Sequence, residues 1–208
     1  MQRSRSRFFP LFLIIVVFVI IVVAVISIGR AIFTSTQPST QETNTDAGQA
    51  ALLSTAVNHS VSLTVRGPIV ANESFRSYSI TVSPGSRVMN IYTGYLDSIQ
   101  NSKTLDNNSQ AYEQFVFALD KANMMKGTMP RDDAANDLRG ICATGFVYEY
   151  SVLVDNSSVK HLWTSTCSGS KGTLDASVTQ LNNLFLAQIP DANTLNPFSQ
   201  SSVTQLRL

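Results

Sequence analysis

Behind a short basic segment the chain enters a long apolar run and then changes its period. Between Phe8 and Ile28 it reads FFPLFLIIVVFVIIVVAVISI, with no charge. About 20 apolar residues cross the ~30 Å hydrocarbon core of a bilayer as a helix, a form that satisfies its own backbone hydrogen bonds in lipid. The run predicts a transmembrane helix over 8–29. Residues 30–56 are polar and rich in Thr, Ser and Gln, and predict a stalk, with a short helix around Ala50, Ala51, Leu52 and Leu53. From 57 the pattern becomes that of a folded domain, expected to run to 190.

Within that domain, alternation of apolar and polar positions predicts strands over 61–65 (VSLTV), 77–82 (SYSITV) and 88–95 (VMNIYTGY), with SPGS at 83–86 as a turn. A polar stretch follows and reads as a loop. Tyr112, Phe115, Val116 and Leu119 then recur at helical spacing, with Asn108 or Ser109 as the N-cap. Residues 126–140 are again polar and predict a loop. Strands are expected over 146–154 and 159–167, joined by the turn DNSS. A second helix carries Leu181, Leu184, Phe185 and Ile189 and stops at Pro190. The tail, 191–208, is mostly polar, with Phe198 and Leu206 able to dock. The segments KTLDNNSQAYEQFVFAL (103–119) and GTLDASVTQLNNLFLAQ (172–188) align without gaps. The expected fold is therefore α+β: a small antiparallel sheet with helices on one face, built from two β-β-α units behind the membrane helix.

Charge sets the orientation. Arg3, Arg5 and Arg7 precede the apolar run and Arg30 alone follows it closely, so the basic segment 1–7 is expected in the cytoplasm and the C-terminal domain outside, as a single-pass signal anchor in the cell membrane. Those four arginines leave 11 basic residues against 14 acidic ones in the remainder. Nothing there forms a basic patch, which speaks against nucleic acid as a partner. Lipid is the expected partner of residues 8–28, and an extracytoplasmic protein or envelope ligand that of the domain. No cofactor or metal is implied.

The two cysteines, Cys142 and Cys167, both fall in the exported part, where disulfides form. They flank the second hairpin, and bridging them requires 143–145 (ATG) to fold back. A disulfide over that loop contributes about 3.5 kcal/mol on the loop-entropy model. TSTCSGSKGTLD (164–175) looks like a phosphate loop but departs from it, because Lys171 precedes Gly172 instead of following it. It reads as a lead-in to a helix capped by Asp175 or Ser177, with Lys171, Gly172 and Thr173 as a weak anion site. His161 is the nearest histidine to Cys167 for any nucleophilic chemistry. Asp132, Asp133 and Asp137 read as a solvated acidic loop. The aromatics are the better binding candidates: Tyr148, Tyr150 and Trp163 on the second hairpin, Tyr92 and Tyr95 on the first. One register sets Tyr150 opposite Trp163; a slip of one residue sets Trp163 beside Glu149.

The Arg-flanked Ile/Val anchor, the Thr/Ser/Gln stalk, and the stretches TVRGPIVANESFRSY (64–78), AYEQFVFALDKANM (111–124) and LWTSTCSGSKGT (162–173) resemble uncharacterised single-pass surface proteins of ultra-small host-attached bacteria. The strand-and-helix outline from Val61 to Ile189 is similar to emfourin-like protease inhibitors, small α+β domains, though no inhibitory residue carries over. The expected function is that of a membrane-tethered extracytoplasmic binding or envelope-scaffold domain without catalytic activity. A tethered protease inhibitor and an envelope hydrolase are the alternatives.

Overall fold

The computed structural model describes residues 43–129 and 137–199. The apolar run at 8–28 lies outside them. Among the described residues no helix is long and apolar enough to cross a membrane. The described residues belong to one compact unit. It contains α1 (Thr43–Leu53), β1 (His59–Arg66), β2 (Arg76–Val82), β3 (Ser86–Thr93), β4 (Ser98–Asp106), α2 (Ser109–Lys121), β5 (Val147–Val154), β6 (Ser157–Ser165), α3 (Val178–Leu186) and the single turn α4 (Ala192–Leu195).

The six strands form one antiparallel sheet in the order β4-β3-β2-β1-β5-β6. β1 to β4 follow one another as a meander. α2 then carries the chain back over the sheet, so that β5 pairs with the free side of β1. The class is α+β with the helices on one face, as expected, but the repeat is not two β-β-α units: the first helix follows four strands and the second follows two. The aligned segments share their helical halves. Asn108 caps α2 by accepting from the Ala111 N–H at 2.9 Å, and Ser177, at the matching position, caps α3 by accepting from Gln180 N–H. Their Thr-Leu-Asp triplets differ, one lying in β4 and the other in a loop.

β4 replaces the loop expected after residue 95. Of its nine residues all but Lys103 and Leu105 are exposed, so neither face imposes the apolar alternation by which a strand is recognised. It is held as an edge strand by its ladder with β3 and by Lys103, whose ammonium donates to the Pro190 carbonyl at 2.6 Å.

Pleating sends Val61, Leu63 and Val65, Tyr78, Ile80 and Val82, Met89 and Ile91, and Tyr150 and Val152 to the helical side. They form one core with Leu52 of α1, Tyr112, Phe115, Val116 and Leu119 of α2, and Leu181 and Phe185 of α3. The Phe115 and Phe185 rings meet edge to face at 5.2 Å. Leu52 is fully buried, so the folded unit takes in α1 from a segment expected to be stalk. Phe198 docks as well, against Phe146 at 4.9 Å and Tyr78 at 6.0 Å, drawing the start of the tail into the domain.

The β5–β6 turn places Asp155 and Asn156 at φ of 50° and 62°, the left-handed pair that a two-residue hairpin requires and that Asp and Asn tolerate. It pairs Val154 with Ser157, and a bulge at Val152/Leu153 then sets Glu149 opposite Trp163 and Tyr150 opposite Leu162. The register that joined Tyr150 to Trp163 is thereby corrected. Period 2 means that this difference moves Trp163 to the opposite face from Tyr150.

Candidate functional site

The face of the sheet turned away from the helices is built from the other half of each alternation. Ser62 and Thr64 on β1, Ser77, Ser79 and Thr81 on β2, and Tyr92 on β3 line a shallow depression of about 260 Å³, closed at one end by Arg66 and Asp97. Arg66 also lines a second depression of about 520 Å³, walled by Phe75 and Tyr95 on one side and by Leu138, Ile141 and Cys142 on the other, with Val147 and Glu149 among its lining residues. Arg66 lines both, so the two lie next to each other at the Arg66 end of β1 and together form a groove. Its polar part carries hydroxyls and its wider part aromatic and aliphatic walls.

A charged group sits at the waist. The Arg66 Nε donates to Glu149 at 2.8 Å, and its Nη1 lies 3.6 Å from the Asp97 carboxylate. The His161 Nε2 lies 3.2 Å from the other Glu149 oxygen. Burial alone would raise the Glu149 carboxyl; the hydrogen bonds from His161 and Arg66, with their charges, outweigh it and hold the group below its usual value. For Arg66 burial works against the charged form, and the bond and charge of Glu149 overcome it, so the guanidinium is held more firmly protonated. At the rim, hydrogen bonds from the Arg139 side chain pull the exposed Asp137 carboxyl down to about 2.

Tyr95 is fixed with unusual completeness for a residue 46% exposed. One ring face stacks on Phe75 at 4.1 Å and 18°. Its hydroxyl donates to the Val70 carbonyl at 2.7 Å and accepts from the Val70 N–H at 3.0 Å. Its own N–H donates to Asn72 Oδ1. A ring so held loses little entropy when something packs on its other face.

The far wall is held by the disulfide. Cys142 and Cys167 are bonded, with Cα atoms 5.5 Å apart. Gly145 makes the fold-back possible: a Cβ there would lie 2.2 Å from Thr166 Oγ1 and 2.9 Å from Cys142 Sγ. The bridge seats Cys142 over Trp163 and Val147 in a small cluster joined by Leu138, Ile141 and Cys167. Ser170 Oγ donates to the Ile141 carbonyl, and Ile69 N–H to that of Ala143, tying the same loop at both ends.

The expected aromatic surface is divided. Tyr150 is fully buried among the helices and Tyr148 shares that face, half-buried. Tyr92 lies on the open face, its hydroxyl 3.0 Å from Ser79 Oγ. Trp163 shares that face but is covered by the disulfide loop and 7% exposed. The four therefore make no common platform, because Tyr148 and Tyr150 obey the opposite pleat from Tyr92 and Trp163.

At the expected anion site, the N–H groups of Thr173 and Leu174 both donate to the Trp163 carbonyl, at 2.8 and 3.0 Å, while Trp163 N–H donates to Thr173 Oγ1. The segment folds back along β6, and Gly172 allows it: φ is +81°, and a Cβ would meet the Trp163 carbonyl oxygen at 2.2 Å. Those backbone donors are spent on the strand rather than aimed at a ligand; Lys171 is exposed beside them. Cys167 carries no thiol, which removes its pairing with His161.

Arg66, Glu149 and Asp97 did not stand out as sequence. Each is a lone charge at a strand end, inside a strand or in a turn, and only the register assembles them. The one sequence signal was Glu149 itself, an acid between two tyrosines in a strand. No protein-family model, no curated protein and no solved structure matches the chain.

Proposed function

We propose that this protein is a membrane-tethered binding domain, held by a signal anchor at residues 8–28 with its C-terminal domain outside the cell, and that the groove on the open sheet face receives its envelope ligand. The observation that carries this is the division of the sheet: one face packs against the helices, while the other bears a groove with an ordered aromatic wall and an ion-paired waist. Ligand sites commonly combine a concave, largely preformed surface with a few placed polar groups. The disulfide suits an oxidising compartment. The joining of the two cysteines, which leaves no free thiol as a nucleophile, supports a reading as recognition rather than thiol chemistry.

Two experiments test this. A phosphatase reporter fused after Leu208 should be active, and a fluorescent protein there dark; the reverse result places the domain in the cytosol and removes the proposal. A photo-crosslinking amino acid at Ser79, in the groove, should give adducts in intact cells, whereas one at exposed Glu113 on α2 should not. Adducts at Glu113 alone, or at neither position, would count against the open face.

A further inference from the structure

The chemistry of the groove narrows what it can hold. Its floor is made of β1, β2 and β5, all interior strands with partners on both sides. Their backbone donors and acceptors are used in the ladders, so an extended peptide cannot add to the sheet here, and recognition falls to side chains. Along the polar part those side chains are mostly hydroxyl-bearing, Ser62, Thr64, Ser79 and Thr81 with Tyr92 from β3, beside the apolar Leu153. Each hydroxyl both donates and accepts, which matches a ligand whose own groups do the same. The charges present are three carboxylates, Glu149, Asp97 and Asp137, against two guanidiniums, Arg66 and Arg139, and each is ion-paired, Arg66 with Glu149 and Asp97 and Arg139 with Asp137. A surface so close to balance attracts neither a polyanion nor a polycation.

What it does offer is a planar guanidinium and a carboxylate held side by side at half exposure, with Arg66 39% and Asp97 46% accessible. Beside them stands Tyr95, 46% exposed and lining the wide end of the groove, its ring held against Phe75. Paired planar polar groups span adjacent hydroxyls, and a fixed aromatic ring accepts the C–H face of a pyranose.

We infer that the groove binds a neutral oligosaccharide, with one sugar ring on Tyr95, its hydroxyls on Arg66 and Asp97, and the next units along the Ser/Thr row toward Thr81. The inference rests on the open face being the binding face. It adds the class of ligand and makes Tyr95 the determinant of affinity.

The test is calorimetric titration of the full-length chain in detergent with two neutral hexasaccharides, cellohexaose and hexa-N-acetylchitohexaose, and with a sulfated heparin hexasaccharide. At least one neutral chain should bind and the heparin fragment should not. Tyr95→Ala should weaken binding tenfold or more, while Tyr95→Trp, which keeps an aromatic face, should retain it. Thr81→Arg, at the other end of the groove and away from the stacked rings, should also weaken the hexasaccharide at least tenfold, so the inference remains testable if Tyr95→Ala fails to fold. It is overturned if neither neutral chain binds, if heparin binds as well as they do, or if the variants bind like the wild type. Crosslinking at Ser79 that persists without any saccharide binding would overturn this inference alone and leave the binding domain standing.

Discussion

The two faces of this sheet come from the same strands and have opposite characters. On the helical side, β1 contributes Val61, Leu63 and Val65, all at or near zero exposure; on the other side it contributes Ser62, Thr64 and Arg66, all half-buried. The first set is bound into a core with three helices. Among the described residues the second packs on no helix, and at the β5–β6 end a disulfide pins a loop over Trp163. The contrast separates two demands on one element. Apolar burial at about 25 cal/mol per Å² makes the fold, and a face left out of that burial is available for recognition at little cost to it.

The largest expected effect lies on the helical side. Phe185→Ala, which empties a fully buried site against Phe115 and Tyr150, should cost about 3–5 kcal/mol in denaturant unfolding. On the open face Ser62→Ala should change stability by no more than about 0.5 kcal/mol. Equal losses would erase the contrast.

Opening the Cys142–Cys167 bridge comes next. The double change to alanine should cost about 2–4 kcal/mol. Because Trp163 is the single tryptophan and lies under that loop, its emission should shift to the red before global unfolding. An unshifted native spectrum would show that the loop holds without the bridge.

Glu149→Gln should cost about 1–3 kcal/mol near neutral pH, since it leaves the partly buried Arg66 with only Asp97. The pH dependence has a fixed sign. The folded carboxyl is held below its unfolded value, so its stabilisation is complete above the unfolded value near 4.3 and is lost as pH falls through the lower folded value. The variant should accordingly lose less stability than wild type on acidification below about pH 4.5. Parallel acid profiles would mean that the ion group contributes nothing.

A smaller effect again, of the opposite sign, returns to the helical side. The Tyr150 hydroxyl is buried without a hydrogen-bond partner among the described residues, and burial raises its pKa. Tyr150→Phe should be neutral or stabilising by up to about 1 kcal/mol. A loss above that would reveal a partner for the hydroxyl.

Much of the fold was legible, because the helical face depends on periodicity. VSLTV, SYSITV and the Tyr112–Leu119 spacing all reflect one buried side, and Asn108 and Ser177 mark helix starts in their own chemistry. β4 was not legible, since an exposed edge strand is polar on both faces and its pairing comes from β3. The groove was legible only in fragments. Tyr92 and Tyr95 were visible as aromatics and the cysteines as a bridge, but Arg66, Asp97 and Glu149 lie far apart in sequence and meet through strand pairing. The Trp163 face turned on a one-residue register, set by the left-handed Asp155–Asn156 turn and a bulge that no apolar pattern records.

The most direct test of the separation between the faces is Ser79→Arg in the full-length chain, read by two numbers from one preparation: retention by isolated envelope fragments and the melting temperature. The account predicts retention at least tenfold lower, with a melting temperature within a few degrees of wild type. Undiminished retention, or a collapse of the melting temperature, would contradict it.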